Sequence, residues 1–598
     1  MRLDSIQTKD FLPMSPAEAQ EKGWPEIDIV LITGDAYVDH PSFGVAIIGR
    51  VLEKAGYRVG IISQPRWTHN EDFQVFGRPR LFFGVTAGNL DSMLNIFTVA
   101  NKPRSEDPYS PNGWQGRRPK HATTVYGNKV REIYPDAPIV IGGLEASLRR
   151  FVYYDYWDHR IRPSILVESH ADILVYGMAE QAILEVAAAL ASGKPRDQLD
   201  YIHGTAVVRN QEGPVGEHKV LPSYELVAHD SNQFCVAFRM IHEEQDPSRG
   251  CALIQQHGSK YVIVHSPALP PTEEMLDDVY GLPFTRRAHP SMGNVPALQP
   301  VRFTITSHRG CFGDCAFCAL SAHQGRTIQS RSMASIVEEA QTIVRHPDFK
   351  GAISDVGGPT ANMYGMGCRL GRYRCPNRQC LLPTPCENLN VDHENIIEVL
   401  RVLRNMPEIN KVFVSSGIRY DLALADEQSN YLEEICEHHI SGLLKVAPEH
   451  IVDRVLDIMN KPRVEVYQRF CKKFNAINKK LGKEQYLVSY WLSGHPGCDV
   501  PDMIALAEYF RDNNIHPEQV QDFYPAPMTL ASCMYYTGKN PLTGEEVFAP
   551  RSVREKAMQR ALMQYWMPEN RVTVAAALSK YGRRDLAGNK PRCLIRHL

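Results

Sequence analysis

No apolar run in this 598-residue chain reaches the roughly 20 residues that a bilayer span requires; stretches such as 29–33 and 171–176 are strand-length. The opening residues, Met-Arg-Leu-Asp-Ser-Ile-Gln-Thr-Lys-Asp, hold no apolar signal core, so the expected compartment is the cytoplasm, with no membrane partner. Charge of one sign is missing too. Lys and Arg number 66 against 68 Asp and Glu, and the net charge of −2 removes any whole-protein electrostatic argument for nucleic acid. Low-complexity tracts are absent, and with 43% hydrophobic and 22% charged residues the composition is that of a globular protein. A chain this long exceeds a single core, and about three or four domains are expected. One local imbalance stands out. Residues 526–598 carry 12 Lys and Arg against 5 Asp and Glu, read here as a solvated basic surface on a small C-terminal extension.

Cysteine, by contrast, is plentiful. Fourteen cysteines in a reducing compartment speak for thiols and metal ligands rather than a disulfide framework. Seven of them (Cys311, Cys315, Cys318, Cys368, Cys375, Cys380 and Cys386) fall within 76 residues, and the others are scattered as core or inert positions. The first three form Cys-x3-Cys-x2-Cys in Gly310-Cys311-Phe312-Gly313-Asp314-Cys315-Ala316-Phe317-Cys318, three soft ligands without a fourth. Structural zinc sites and ordinary iron-sulfur clusters are closed by four protein ligands, so three thiolates on one loop leave a metal position for another molecule. The competing reading is zinc completed by His308 or His323. Cys368-x6-Cys375-x4-Cys380-x5-Cys386 is a candidate second metal site, for which zinc, an auxiliary cluster and plain reduced cysteines all fit.

The order of elements predicts an α/β protein. Residues 1–215 read as a doubly wound, Rossmann-like domain, with strands at 29–33, 59–63, 81–85, 139–141 and 173–176, helical patterns between them, and a polar Pro/Gly-rich surface loop at 102–120. A connecting region follows at 216–300, ending in a proline-dense linker from 265. In 301–530 the alternation restarts, with strands near 301–306, 352–356, 411–416, 443–447, 486–492 and 520–524. Helices are expected at 333–345, 394–405, 427–439, 464–481 and 501–513, with a cysteine-rich insertion at 366–390. Six βα units in a row predict a partial (β/α)6 TIM-like barrel, followed by the basic extension 531–598. In such folds chemistry sits where strands end. Those loops carry the cysteine triplet, Gly357-Gly358-Pro359-Thr360, Ser415-Ser416-Gly417-Ile418-Arg419, Pro448-Glu449-His450 and Ser493-Gly494-His495-Pro496-Gly497.

The cysteine spacing, aromatic Phe317 before the last cysteine, the place after the first strand and the glycine pair after the second together resemble the radical S-adenosylmethionine superfamily. The resemblance implies a [4Fe-4S] cluster on Cys311, Cys315 and Cys318, with S-adenosylmethionine chelating the fourth iron. It further implies reductive cleavage to a 5′-deoxyadenosyl radical that abstracts hydrogen from a substrate, with an electron donor such as flavodoxin or ferredoxin. Gly357 and Gly358 resemble the segment that meets the methionine amino group, although Pro359 stands where the common Gly-Gly-Glu form has its acid. Ser416 and Arg419 sit where polar residues meet ribose and carboxylate, and Glu449 is a further candidate. Taken singly, these residues read as a tight turn, a surface ion pair and a helix-terminal charge. The first domain resembles the cobalamin-binding-like domain of that superfamily in Ile139-Val140-Ile141-Gly142-Gly143 and Asp172-Ile173-Leu174-Val175-Tyr176-Gly177. The Asp-x-His-x-x-Gly motif is not reproduced, since Asp39 and His40 are adjacent and Gly44 follows, so an inherited fold without cobalamin is expected. With Leu282-Pro283-Phe284-Thr285-Arg286-Arg287 and Asp522-Phe523-Tyr524-Pro525-Ala526-Pro527-Met528-Thr529, nearly the whole chain resembles the YgiQ-type radical S-adenosylmethionine family. Its substrate could be RNA, protein or a small molecule. The rival from another class is a non-catalytic iron-sulfur or zinc-binding scaffold.

Overall fold

The computed structural model describes residues 7–199, 201–211, 216–371, 379–518 and 520–596. Its first body is built on a nine-stranded sheet. Five strands at one edge of this sheet run parallel: Val59–Ser63, Ile29–Thr33, Phe82–Thr86, Ile139–Gly142 and Ile173–Val175, side by side in that order. Numbered along the chain, the order is 2-1-3-4-5, which puts a topological switch point between the first strand and the third. Continuous apolar runs form these strands because both faces are covered. Ile29 and Leu31 enter one core with Phe43, Ala46, Leu52, Ile183 and Val186, whereas Val30 and Ile32 enter the other with Tyr126, Val130 and Ile165. Helices Gly44–Lys54 and Glu180–Ala191 cover the first face, and Ala122–Ile133 covers the second.

The sheet does not stop near residue 215. Thr205–Arg209 pairs antiparallel with Ile173–Val175, Lys260–Val264 pairs with Thr205–Arg209, and Ala252–His257 and His218–Val220 extend the edge. Part of the expected connecting region therefore belongs to this sheet.

The loop 102–120 also differs from a surface loop. Its Asp107 and Arg118 are buried, and the Arg118 guanidinium lies 2.8 Å from Asp35, 3.1 Å from Asp107 and 2.5 Å from the Ala87 carbonyl. It thereby fills the crevice at the switch point. A Cβ on Gly34 would stand 2.4 Å from the Ala87 oxygen, so the two strand ends close against each other there. A charged loop is drawn inward because its charges pair.

In the second half six short parallel segments pair in chain order. Thr304–Thr306 pairs with Asp355–Gly357, Ala352–Ile353 with Lys411–Val412, Ile418 with Val446, Leu443–Glu449 with Tyr486–Ser493, and the last with Gln521–Asp522. Intervening helices include Met333–Arg345, whose N-cap Ser332 accepts from Ser335 N at 3.1 Å, and Val464–Leu481. Two short helices not expected from the pattern, Tyr420–Ala425 and Asp453–Met459, follow the third and fourth strand ends.

The C-terminal stretch is not a solvated appendage. Its helices Val553–Met563 and Arg571–Lys580 bury Met558, Leu562, Val574 and Leu578 in the core of the second half. Two of its arginines find acids there, Arg560 on Asp522 at 3.0 Å and Arg583 on Glu508 at 2.9 Å. Among the described residues no helix is long and apolar enough to cross a membrane.

The proline-dense linker binds the two halves. Arg287–Ala288 pairs antiparallel with Val38–Asp39, and Arg286 meets Glu339 of helix Met333–Arg345, which also receives Arg331. All three side chains are buried. Removing the shared carboxylate would leave two buried guanidiniums uncompensated, a loss of about 3–5 kcal/mol. Glu339→Ala is therefore predicted to shift the urea unfolding midpoint down strongly; an unchanged midpoint would contradict this role for the triad.

Candidate functional site

The cysteine loop begins where the first strand of the second half ends, just past His308–Arg309. Gly310 makes the turn with φ 83°, and a Cβ there would lie 2.1 Å from the Thr327 carbonyl, so only glycine fits. Beyond it the loop is tied down from several directions. Ala316 N donates to Met459 O (2.9 Å), Ala531 N donates to Ala316 O (2.8 Å), and the Asn460 amide donates to Asp314 O (3.1 Å). Arg326 pairs with Asp314 at 2.5 Å. The first body reaches in as well: buried Arg309 lies 2.5 Å from Glu180 and donates to the Tyr280 hydroxyl at 3.0 Å.

Cys311, Cys315 and Cys318 are free and partly buried. Burial, with Cys315 beside it, pushes the Cys318 thiol up to about 12 and raises Cys311 in the same way. Such thiols hold their protons until a cation takes the place of those protons. The three sulfurs do not all lie within 4.8 Å of one another, nor do any two of them form such a group with His308 or His323. Tetrahedral zinc would draw its ligands to about 3.8 Å spacing. His308 instead points its Nε2 at Gly358, and burial lowers its pKa to about 4.

The neighbouring strand ends hold the other expected residues. A Cβ on Gly357 would lie 2.6 Å from Ser416 Oγ, and one on Gly358 would lie 2.6 Å from His308 O, so both glycines permit close approach of the chain to itself. Asp355, which the sequence gave no reason to single out, anchors the third strand end: Ser415 N (2.7 Å), Ser416 N (3.0 Å) and the Ser416 hydroxyl all donate to it.

Arg419 is buried, not at the surface, and its Nη1 lies 3.6 Å from Cys315 Sγ. Asp421 receives its Nε and Nη2 at 2.9 and 2.5 Å. Burial works against the Arg419 charge, and Asp421 overrides it, so the pKa is raised. Glu449 sits in the left-handed region at φ 67°, at a register irregularity of its strand. Its Oε2 is buried without a hydrogen-bond partner, and burial raises its pKa despite Lys461. A strained, unsatisfied acid at a strand end is a candidate functional position. Lys461, buried and also missed in sequence, acts electrostatically on Glu449, Asp421, Cys311 and Cys318. Behind the loop, His495 meets Phe317 edge-on at 5.8 Å, and Gln559 of the C-terminal helix accepts from Gly494 N at 2.8 Å.

On the other side of the loop lies a cavity of about 470 Å³. Cys315 and Cys318 line it together with Cys368, Cys380 and Cys386, Met178 of the first body and Phe238. Gly357, Gly358, Ser416, Arg419 and Glu449 do not line it; they lie around the strand ends beyond the cysteines. Cys375 falls outside the described residues.

A family model described as Radical SAM N-terminal matches residues 11–304, and a domain of unknown function, DUF3362, matches 518–598. A UPF0313 protein of Methanosarcina acetivorans is 50% identical over 99% of this chain and 83% of its own length. Those of Methanocella arvoryzae and Clostridium perfringens are 52% and 51% identical, each over 98% of this chain and over 98% and 89% of themselves. Among solved structures, the cobalamin-dependent S-adenosylmethionine radical enzyme OxsB, with aqua-cobalamin and S-adenosylmethionine bound, matches with a TM-score of 0.52 at 10% identity. The match covers 96% of this chain and 75% of that one, a likeness of fold.

Glu449 allows a test of the site's electrostatics. Its pKa is raised in the folded state, so its stabilising proton is held below the unfolded value and is lost as pH rises. Glu449→Gln removes that burden. The variant is predicted to melt roughly 2 °C above the parent at pH 8, with the difference fading toward pH 4; a lower melting temperature at pH 8 would contradict the assignment.

Proposed function

Because the chain belongs to the UPF0313 family and carries a radical SAM N-terminal region over residues 11–304, we propose that it is a radical S-adenosylmethionine enzyme of the cytoplasm. The observation that carries this reading is the cysteine loop itself: three partly buried thiols at the end of the first of six parallel strand segments, with the Arg419 guanidinium 3.6 Å from Cys315. The donor set fits a [4Fe-4S] cluster held by Cys311, Cys315 and Cys318, with S-adenosylmethionine completing it. When bound and reduced by a donor such as flavodoxin or ferredoxin, that cluster supplies the electron that splits S-adenosylmethionine into methionine and a 5′-deoxyadenosyl radical, which takes a hydrogen atom from the substrate.

The chain's own residues bind and orient. Arg419, kept charged by Asp421, offsets thiolate charge at Cys315 and offers a partner for the methionine carboxylate. With the space above Gly357 and Gly358 taken by Ser416 and His308, the backbone there is left to meet the amino group. Glu449, with one oxygen unpartnered, suits the ribose hydroxyls, and Ser416, fixed on Asp355, shapes the third strand end. The cavity is taken as the substrate chamber. Among the described residues Met178, Phe238, Phe312, Ile328 and Leu389 line it, an apolar wall suited to a small molecule or a side chain.

OxsB binds cobalamin in its solved structure. What supports a fold without cobalamin here is that Asp39 is paired with Arg50 at 2.6 Å, that His40 Nε2 lies 3.2 Å from Arg302 O, and that Arg118 meets Asp35 at the switch point. No step is derived through a corrinoid.

Anaerobic reconstitution, reduction and chromatography for 5′-deoxyadenosine test the reading. The parent is predicted to form it, Cys315→Ala to form none above background, and Arg419→Met about tenfold less than the parent, as expected for losing ~1–2 kcal/mol from a desolvated charge contact. If the parent with an intact reduced cluster matches Cys315→Ala, the non-catalytic scaffold is the better account.

A further inference from the structure

Helix Ser231–Glu243 straddles the two halves of the molecule. Its Phe234, Ala237 and Phe238 are buried in the core of the second half, whereas Ile241 is buried in a core of the first body. Helix Leu530–Thr537 packs against it, with Tyr536 meeting Phe234 edge-on at 5.2 Å and Lys539 donating to the Asn232 side-chain oxygen at 2.9 Å. Where the helices touch, Cys235 of one faces Cys533 of the other, and the Cys533 thiol donates a hydrogen bond to the Cys235 sulfur. We infer that Cys235 and Cys533 are a redox-active pair, which a hydroperoxide converts into a disulfide that staples the two helices together.

The two sulfurs differ in the way such a pair requires. Cys235 is partly exposed and Cys533 is buried. The hydrogen bond from Cys533 lowers the Cys235 thiol to about 6 against the effect of burial, and the Thr537 hydroxyl, Lys539 and Arg239 act in the same direction. Near pH 7 Cys235 is therefore mostly thiolate, the nucleophilic form, where a small oxidant can reach it. Burial raises Cys533, and the neighbouring Cys235 raises it further, so it keeps its proton. Cysteines that only pack behave otherwise: burial raises the thiols of Cys436, Cys471 and Cys498.

The Cys235 thiolate attacks one oxygen of the hydroperoxide; an S–O bond forms, the O–O bond breaks, and the leaving oxygen is protonated by solvent. Cys235 loses two electrons and the hydroperoxide gains them. Cys533 then attacks the Cys235 sulfur; the S–S bond forms, the S–O bond breaks, and the Cys533 proton leaves with the hydroxyl as water. Oxidation of Cys235 removes the charge that opposes ionisation of Cys533, which favours this second step. A dithiol reverses the bond, as befits a reducing compartment, where disulfides are transient. Phe238 and Ile241 of one helix and Leu530 of the other line the 470 Å³ cavity, and Ala531 N donates to Ala316 O of the cysteine loop. The staple thus ties the cavity wall across both halves, whatever the cavity holds.

The test reads the covalent bond rather than turnover. Reduced full-length protein, freed of reductant without air, is treated with a single equivalent of hydrogen peroxide, blocked with iodoacetamide, digested and mapped by mass spectrometry. The parent is predicted to yield a peptide linking Cys235 to Cys533 that dithiothreitol separates. Cys533→Ser keeps a hydrogen-bond donor but cannot form the disulfide, so dimedone is predicted to label Cys235 in it at least about tenfold more than Cys471. The parent result decides alone if the variant fails to fold. Cys235 and Cys533 recovered as separate alkylated peptides from the treated parent, or equal labelling of Cys235 and Cys471 in the folded variant, would overturn the pair.

Discussion

The cysteine loop is pinned between two buried guanidiniums, and most of the architecture serves that placement. On one side Arg309 is anchored by Glu180 and the Tyr280 hydroxyl, groups supplied by the first body and the proline-dense linker. On the other, Arg419 is held by Asp421 and lies against Cys315. Buried charges tolerate desolvation only when their partners are fixed, and an acid supplied from another body is fixed only while the bodies stay docked. The loop's position therefore depends on the docking of both halves. The Arg286–Glu339–Arg331 triad secures that docking at the linker.

Charge balance around the loop is asymmetric. The Cys311 and Cys318 thiols resist ionisation because of burial and the neighbouring cysteine, so a cluster would have to supply the positive charge that deprotonates them. The nearby imidazoles do not help: burial lowers His450 to about 3 and His495 to about 4, leaving both neutral near pH 7. Among the described residues, Arg419 lies against Cys315, and Arg419 and Lys461 both act electrostatically on Cys311. The Glu449 Oε2, buried and unpartnered, adds a group at a strand end whose need is not met within the described residues.

Periodicity and cysteine spacing made much of this legible. Helices Met333–Arg345 and Val464–Leu481 lie where the apolar repeat puts them, and the six strand segments follow the apolar runs because each is flanked by turn residues. What escaped sequence reading depends on long-range pairing. The loop 102–120 reads as polar, yet Arg118 is buried by acids 83 and 11 positions away. The basic C-terminal stretch reads as a solvated face, yet Gln559 and Leu562 belong to the core and two arginines meet Asp522 and Glu508. Asp355 and Lys461 carry no local motif, and only the meeting of strand ends reveals them. The strands beyond residue 215 were hidden because antiparallel additions at a sheet edge leave no βα repeat to count.

The central claim is that Cys311, Cys315 and Cys318 form a three-legged site whose remaining position belongs to S-adenosylmethionine. Electron paramagnetic resonance of the reduced, reconstituted Cys368→Ala/Cys380→Ala/Cys386→Ala protein, with and without S-adenosylmethionine, addresses it directly. The account predicts a [4Fe-4S] signal whose g-values change when S-adenosylmethionine is added; a signal that the addition leaves unchanged would contradict it.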